Sequence, residues 1–305
     1  MIDNVAFLTI NYNSTKDTIE LIESFQERAI NLVVYVLDNC SNELEYRNLE
    51  KYVETLADKN RPVVKLFRSD VNLGFSRGNN FLLEKARDDF DYYVIGNNDL
   101  VMTSNAITRI VTRANDCSSE VFTSTIAYYK KKNIIWYGGG RESLEPRFRP
   151  RHLNKGRALS EAVNLNSKTV SFASGAWIVL KKELLNRHYL FDANMFFGEE
   201  DAEFCRRILR GGCSIQYFPE IVVYHKVGEA ENSRKTALLN IFHVQSKIYN
   251  IAKSYPLYIS LPYFIFFYVY QLLAGLKEKD KRSSVLKLLK DTPRFYIKGF
   301  SNRGR

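Results

Sequence analysis

Over the first hundred residues, short apolar runs rich in β-branched side chains alternate with longer stretches of helical period. Residues 5–10 read as a buried strand and residues 15–28 as an amphipathic helix with Leu21, Ile22 and Phe25 turned inward. Residues 32–37 and 63–67 read as a second and a third strand, residues 75–87 as a second helix, and residues 92–95 as a fourth strand. This alternation predicts an α/β domain built on a mostly parallel sheet with helices on both faces. Ligands of such sheets bind beyond the carboxyl ends of the strands. The polar residues that end these strands are Asn11, Asp38 and the triplet Asn97-Asn98-Asp99.

The middle of the chain is less regular. A helix is expected over 104–115, strands over 121–129 and 134–137, and a flexible turn at the glycines 138–140. Arg147, Arg149, Arg151, Lys155 and Arg157 crowd an irregular stretch that reads as an exposed loop. Strands are expected over 169–172 and 176–180, a helix over 199–209 stopped by Gly211-Gly212, and two short strands over 214–217 and 221–224.

Residues 254–276 carry no charge, yet Pro256 and Pro262 interrupt them and tyrosines recur along their length. Tyrosine concentrates at the membrane–water boundary rather than in hydrocarbon. Beyond them, from Lys277 to Arg305, ten Lys or Arg face three acids, so this tail holds +7 of the chain's net charge of +10. A helix lying in or docked on an anionic membrane surface is therefore expected, with an ordinary buried helix pair as the alternative. The cations follow an apolar segment instead of interleaving with stacking aromatics, which argues against nucleic acid. With 305 residues, 45% of them apolar and 26% charged, the chain has ample material for a core. Its first thirteen residues lack the pattern of a secretory signal, and its four cysteines lack zinc-like pairing or disulfide-scaffold density, so reduced thiols are expected.

Three segments and one histidine could carry chemistry. Asn97-Asn98-Asp99 places a carboxylate at a strand end, where it could hold a divalent ion or simply make a turn. Asn72-Leu73-Gly74-Phe75-Ser76-Arg77-Gly78-Asn79-Asn80 brings two glycines, an arginine and three asparagines to the mouth of a helix, suited to a nucleotide or its phosphates. Phe196-Phe197-Gly198-Glu199-Glu200-Asp201-Ala202-Glu203 sets three acids at a helix start, where they favour the helix and where an acid beside aromatic walls could act as a general base. Glu203 can also pair with Arg207 one turn on. His225 ends an apolar run as a possible metal ligand.

In their order these segments, with Thr9-Ile10-Asn11-Tyr12-Asn13, Asp38-Asn39-Cys40-Ser41 and Ala173-Ser174-Gly175-Ala176, resemble the rhamnosyltransferase-like members of glycosyltransferase family two, over about residues 3–300. The resemblance implies a GT-A fold over 1–230, Rossmann-like, with a helical, membrane-associating basic region over 231–305. It places Asn11, Tyr12, Asp38, Asn72, Gly74, Arg77, Asn80 and Asn98 at the nucleotide-sugar donor, and Asp99 with His225 on Mg²⁺ or Mn²⁺. Asp201, with Glu200 beside it, falls where the family has its catalytic base. Asn97 and Asn98 stand where many relatives carry acids. The implied activity is an inverting transfer of rhamnose or a similar sugar from a dTDP- or UDP-sugar to a glycan or polyprenyl-linked acceptor, at the cytoplasmic face of the membrane. The basic stretch around Arg151 would meet the acceptor's phosphate or remain a solvated loop. The alternative is a catalytically silent, membrane-associated nucleotide-binding protein. A nucleotidyltransferase or dehydrogenase is disfavoured, because the turn after Ile10 reads Asn11-Tyr12-Asn13-Ser14 and lacks glycine.

Overall fold

The computed structural model describes residues 2–56, 62–86, 90–142, 150–163, 165–227, 233–277 and 282–303. Its strands are β1 (Asn4–Asn11), β2 (Asn31–Asn39), β3 (Val63–Ser69), β4 (Tyr92–Gly96), β5 (Leu100–Met102), β6 (Val121–Tyr128), β7 (Ile135–Tyr137), β8 (Gly140–Arg141), β9 (Arg151–His152), β10 (Lys168–Val170), β11 (Trp177–Lys181) and β12 (Ile215–His225). Its helices are α1 (Thr15–Ser24), α2 (Glu43–Glu54), α3 (Gly74–Ala86), α4 (Ala106–Asn115), α5 (Leu159–Val163), α6 (Lys182–Leu185), α7 (Glu200–Arg210), α8 (Ser233–Ser254), α9 (Leu257–Lys277) and α10 (Arg282–Ser301).

One sheet runs β10-β12-β6-β11-β4-β1-β2-β3, with β5 added on β12 and β7 on β6. Strands β4, β1, β2 and β3 are parallel, and β1 and β4 are buried on both faces, as parallel strands roofed by helices must be. Strand β11 enters antiparallel between β4 and β6, pairing Trp177 with Gly96. That reversal sets the turn leading into β11 beside the carboxyl end of β4. Helix α3 lies close on the sheet at Gly78, where a Cβ would stand 2.6 Å from Ile10 Cδ1.

Four expectations change. Helix α1 stops at Ser24: the Ser24 hydroxyl donates to the Leu21 carbonyl and accepts from the Met102 amide, and Phe25 turns extended to pack edge-on against Phe7 at 5.0 Å. The two short strands expected near 220 are one strand, β12, bulged between Phe218 and Val222. Pro219, which has no amide to donate, sits in that bulge and accepts from Thr125 Oγ1. The glycines 138–140 are buried and bonded, Gly138 donating to the Leu153 carbonyl and Gly139 accepting from the Leu153 amide, so they form no loose turn. The strand expected over 169–172 is shorter, β10 ending at Val170. The division expected at 230/231 lies outside the described residues.

The C-terminal helices are joined to the sheet domain by buried charge. On α8, Lys253 Nζ donates to Asp192 Oδ2 (2.6 Å), Glu203 Oε1 (2.9 Å) and the Tyr189 hydroxyl (2.7 Å). Burial works against the Lys253 ammonium, but the neighbouring Glu203 and Asp192 outweigh it and raise the lysine above its ordinary value. Arg207 grips Glu203 through both carboxylate oxygens, the i, i+4 pair expected on α7. Helices α9 and α10 meet at Phe264 and Tyr296, whose rings lie 4.5 Å apart, and at Ser260 against the Tyr296 hydroxyl (3.1 Å). Among the described residues no helix is long and apolar enough to cross a membrane.

Candidate active site

The ends of β1 and β2 are in register, so Asn11 and Asp38 face each other. Asn11 Nδ2 donates to Asp38 Oδ1 (2.9 Å) and Ser41 Oγ (3.3 Å), and Asn11 Oδ1 accepts from the Thr18 hydroxyl (3.0 Å). Thr18 in turn accepts from Asn98 Nδ2 at 2.9 Å. Asp38 also accepts from the Ser41 amide and lies 3.7 Å from Arg68 Nε. Asn11 and Asp38 are completely buried, so they form a saturated floor, while Tyr12 stands 37% exposed at its edge. Ser41 closes the Asp38-Asn39-Cys40-Ser41 motif, whereas Thr18 belongs to none of the motifs in the sequence. Thr18 was detectable as a polar residue on the inward stripe of α1 that also holds Leu21 and Ile22.

The segment at the mouth of α3 divides its labour. Asn72 Oδ1 accepts from the Gly74 amide and from Asn39 Nδ2, closing the turn into the helix. Gly74 is required there: its φ is +73°, and a Cβ would lie 2.2 Å from the Phe196 carbonyl oxygen. Arg77 Nε donates to the Ala193 carbonyl, and Asn80 bonds the Phe191 backbone in both directions. Together with the bond from the Phe75 amide to the Phe196 carbonyl, these hold the approach to α7 against α3.

His225, at the end of β12, is in register with Leu100 of β5, which brings it onto the preceding residue. His225 Nε2 lies 2.8 Å from Asp99 Oδ1 and 3.3 Å from Asn97 Nδ2. Asp99 Oδ1 is buried and aligned with no hydrogen-bond donor, and His225 Nδ1 is likewise without a hydrogen bond. A carboxylate oxygen and an imidazole nitrogen converging in this way fit joint ligation of Mg²⁺ or Mn²⁺. No third His, Cys, Asp or Glu among the described residues joins this pair in a metal cluster. Trp136 packs edge-on against His225 at 4.8 Å, and Lys226 turns away to Asp17 (2.8 Å) and Glu20 on α1.

Asp201 sits at the amino end of α7, behind Gly198 and Glu199, both of positive φ. Its Oδ2 accepts from the Gly175 amide (2.9 Å) and its Oδ1 from the Ala202 amide (2.8 Å). Gly175 precedes Ala176, whose carbonyl accepts from the Asn97 amide at 3.1 Å. Two hydrogen bonds and one peptide link thus join the Asp201 turn to the Asn97-Asn98-Asp99 turn, along the rim created by the reversed β11. Of the basic loop, Arg147 and Arg149 lie outside the described residues; Arg151, Lys155 and Arg157 are exposed, with Arg157 3.8 Å from Glu161.

The acids at this rim share one perturbation. Burial pushes Asp201 above its ordinary value, against the pull of the Gly175 and Ala202 amides. Burial also raises Glu199, opposed by Lys247. Glu200 is raised to about 8, first by burial and then by the charge of Asp201, and its Oε2 is without a hydrogen bond. Glu200 therefore holds a proton at neutral pH in the folded protein and loses it when unfolded, so stability falls as pH rises from about 4.5 to about 8. Replacing it, Glu200→Gln, should raise the Tm at about pH 9 by about 4 °C or more and change it little at about pH 4. Thermal melts across that range check this; a constant offset between the two proteins would contradict it.

Comparison with known proteins follows this geometry. No curated protein matches the sequence. Among solved structures, GalNAc-T7 with UDP, GalNAc and Mn²⁺ superposes with a TM-score of 0.61 at 14% identity, over 83% of this chain but 51% of that one. A mannosyltransferase from Pyrobaculum calidifontis, in complex with GDP-Man and Mn²⁺, gives 0.55 at 15% identity over 98% and 84% of the two chains. Residues 1–349 of S. aureus TarS give 0.54 at 13% identity over 97% and 89%. At these identities the likeness is one of fold, and that fold is GT-A. The family model for glycosyl transferase family 2 matches residues 7–188, a span that holds the ends of β1, β2 and β4 and the Gly175 turn. The chain belongs to glycosyl transferase family 2.

Proposed function

We propose that the protein transfers a sugar from a nucleoside-diphosphate sugar to a hydroxyl of a glycan or polyprenyl-linked acceptor, with inversion, at the cytoplasmic face of a membrane. One observation carries the reading: the Asp99–His225 pair and Asp201 belong to one rim, linked through Asn97, Ala176 and Gly175. The sequence subgroup favours dTDP-rhamnose as donor, with a UDP-sugar second, and the structural likeness to proteins solved with UDP and GDP-Man supports a nucleotide-sugar donor in general.

The floor of Asn11, Asp38, Ser41, Thr18 and Asn98 fixes the strand ends on which the nucleoside rests, with Tyr12 at its exposed edge. Asp201 takes the proton of the acceptor hydroxyl as that oxygen bonds to the anomeric carbon. The bond from that carbon to the diphosphate breaks with its electron pair leaving on the diphosphate, and one displacement inverts the centre. The Gly175 and Ala202 amides orient the Asp201 carboxylate, and a protonated Glu200 adds no second charge beside it at neutral pH. Mg²⁺ or Mn²⁺ held by Asp99 and His225 would supply positive charge for the departing diphosphate.

Asn97 and Asn98, uncharged where acids would strengthen a cation site, favour the silent nucleotide-binding protein as second reading. Calorimetry with UDP and dTDP, with and without Mn²⁺, separates the two when joined to turnover of a nucleotide-sugar panel. The transferase should bind at least about tenfold more tightly with metal and hydrolyse its donor slowly. Affinity indifferent to metal, with no donor turned over, would overturn it.

A further inference from the structure

Strand β7 carries a bulge at Trp136. Ile126 and Ala127, neighbours on β6, pair with Tyr137 and Ile135, so Trp136 is the extra residue between them. A bulge re-aims a side chain, and bulges gather beside functional sites. Ile135 and Tyr137 are fully buried, whereas Trp136 is half-buried. Strand β6 also pairs with β12, Tyr128 standing opposite His225, which brings the bulge alongside the end of β12. There the Trp136 ring meets the His225 ring nearly at right angles, at 81°, with centroids 4.8 Å apart.

The tryptophan is itself fixed. His152 packs against it with ring centroids 4.6 Å apart. Since a carbonyl only accepts, His152 Nδ1 carries the ring proton and donates to the Trp136 carbonyl at 3.2 Å. The His152 ring in turn stacks on Phe172 at 6.0 Å and lies edge-on to Tyr137 at 5.2 Å. Burial lowers His152 to about 4, so at neutral pH the ring is uncharged and brings no positive charge toward a cation. On its other side the Ile135 amide donates to the Arg157 carbonyl, and the Ile135 carbonyl accepts from the Gly156 amide. The backbone of the basic stretch thus straps β7 in place.

His225 lacks the usual means of holding a metal-ligating imidazole. Such a ring as a rule donates its second N–H to a carbonyl or carboxylate, which fixes its orientation. Ligation through Nε2 makes Nδ1 that second nitrogen, and Nδ1 is buried without a hydrogen bond. Packing then has to do what the hydrogen bond does elsewhere. We infer that Trp136 is a positioning residue for the cation site: its ring, clamped by His152, holds the His225 imidazole with Nε2 toward Asp99 Oδ1. The inference rests on the assignment of Asp99 and His225 to Mg²⁺ or Mn²⁺.

Mn²⁺ binding by the full chain in the presence of UDP or dTDP, read from the loss of the free-ion signal in electron paramagnetic resonance, tests this. Trp136→Leu, which keeps an apolar filler but no ring, should lower Mn²⁺ affinity at least about tenfold. Trp136→Phe should recover most of that loss. Nucleotide affinity without metal should stay at the wild-type value in both, which shows that the fold has survived. A double-mutant cycle separates positioning from a general effect on the fold. In a His225→Ala background Trp136→Leu should cost nothing further in Mn²⁺ affinity, because the ring it steadied is gone. The same loss with and without His225 would overturn the inference. So would wild-type Mn²⁺ affinity in Trp136→Leu, or equal losses in the Phe and Leu variants. Mn²⁺ binding that ignores Trp136 yet falls in Asp99→Asn sinks only the role of Trp136. A wild-type protein that binds no Mn²⁺ with nucleotide present removes the cation site and this role together.

Discussion

Asp201→Asn should lower kcat by about a thousandfold, within the range that a positioned general base contributes, while leaving nucleotide affinity and Tm close to wild type. The asparagine keeps the shape and one oxygen to accept from the Gly175 amide, and although it gives up the bond from the Ala202 amide it also removes a buried charge, so a folding defect is not the expected outcome. What it loses is the ability to take a proton. Burial raises Asp201 above an ordinary aspartate, so the acid limb of the wild-type pH–kcat/KM profile should lie above the usual carboxylate range, with activity lost as pH falls through it. In the variant that limb should disappear with the activity. A folded Asp201→Asn protein that retains near-normal transfer would assign the proton to another group.

Asp99→Asn should cost at least about a hundredfold in kcat/KM in the presence of Mn²⁺, and should erase the metal's contribution to nucleotide affinity. Binding measured without metal should hardly change. His225→Ala should act in the same direction, because its Nε2 converges with Asp99 Oδ1 at 2.8 Å. The decisive measurement is the double variant. Two groups that serve one ion are lost together, so Asp99→Asn with His225→Ala should cost little more than the worse single change. Additive losses would mean that the two side chains act independently.

Much of this architecture is legible in the chain because burial on both faces leaves an unmistakable mark. Val5, Ala6, Phe7 and Leu8 of β1, and Val94 and Ile95 of β4, are fully buried, and their apolar runs say so. Helix α2 leaves little mark in the sequence, since Leu49 is its only fully buried side chain and its start rests on Asn42 accepting from the Glu45 amide. The bulge in β12 looks like a break in the sequence because Pro219 interrupts the apolar pattern without ending the strand. At the site, Asn11, Asp38 and Asp99 stood out as polar ends of apolar runs. The bonds that Arg77 and Asn80 make to the backbone at Ala193 and Phe191 could not be foreseen, with partners more than a hundred residues away. The Gly175 amide that orients Asp201 has no side-chain letter at all.

The lysine that ties α8 to α7 bears on how this enzyme is to be dissected. Asp192 takes its positive charge from Lys253, which Glu203 shares with Arg207, and Glu203 lies two residues along the same helix from Asp201. A chain cut short ahead of that lysine would leave the interior Asp192 carboxylate without its cation and Glu203 held by Arg207 alone, within one turn of helix from Asp201. Such a truncation would be expected to inactivate the protein even in a test tube free of lipid, and its silence would report a sprung helix rather than a lost anchor.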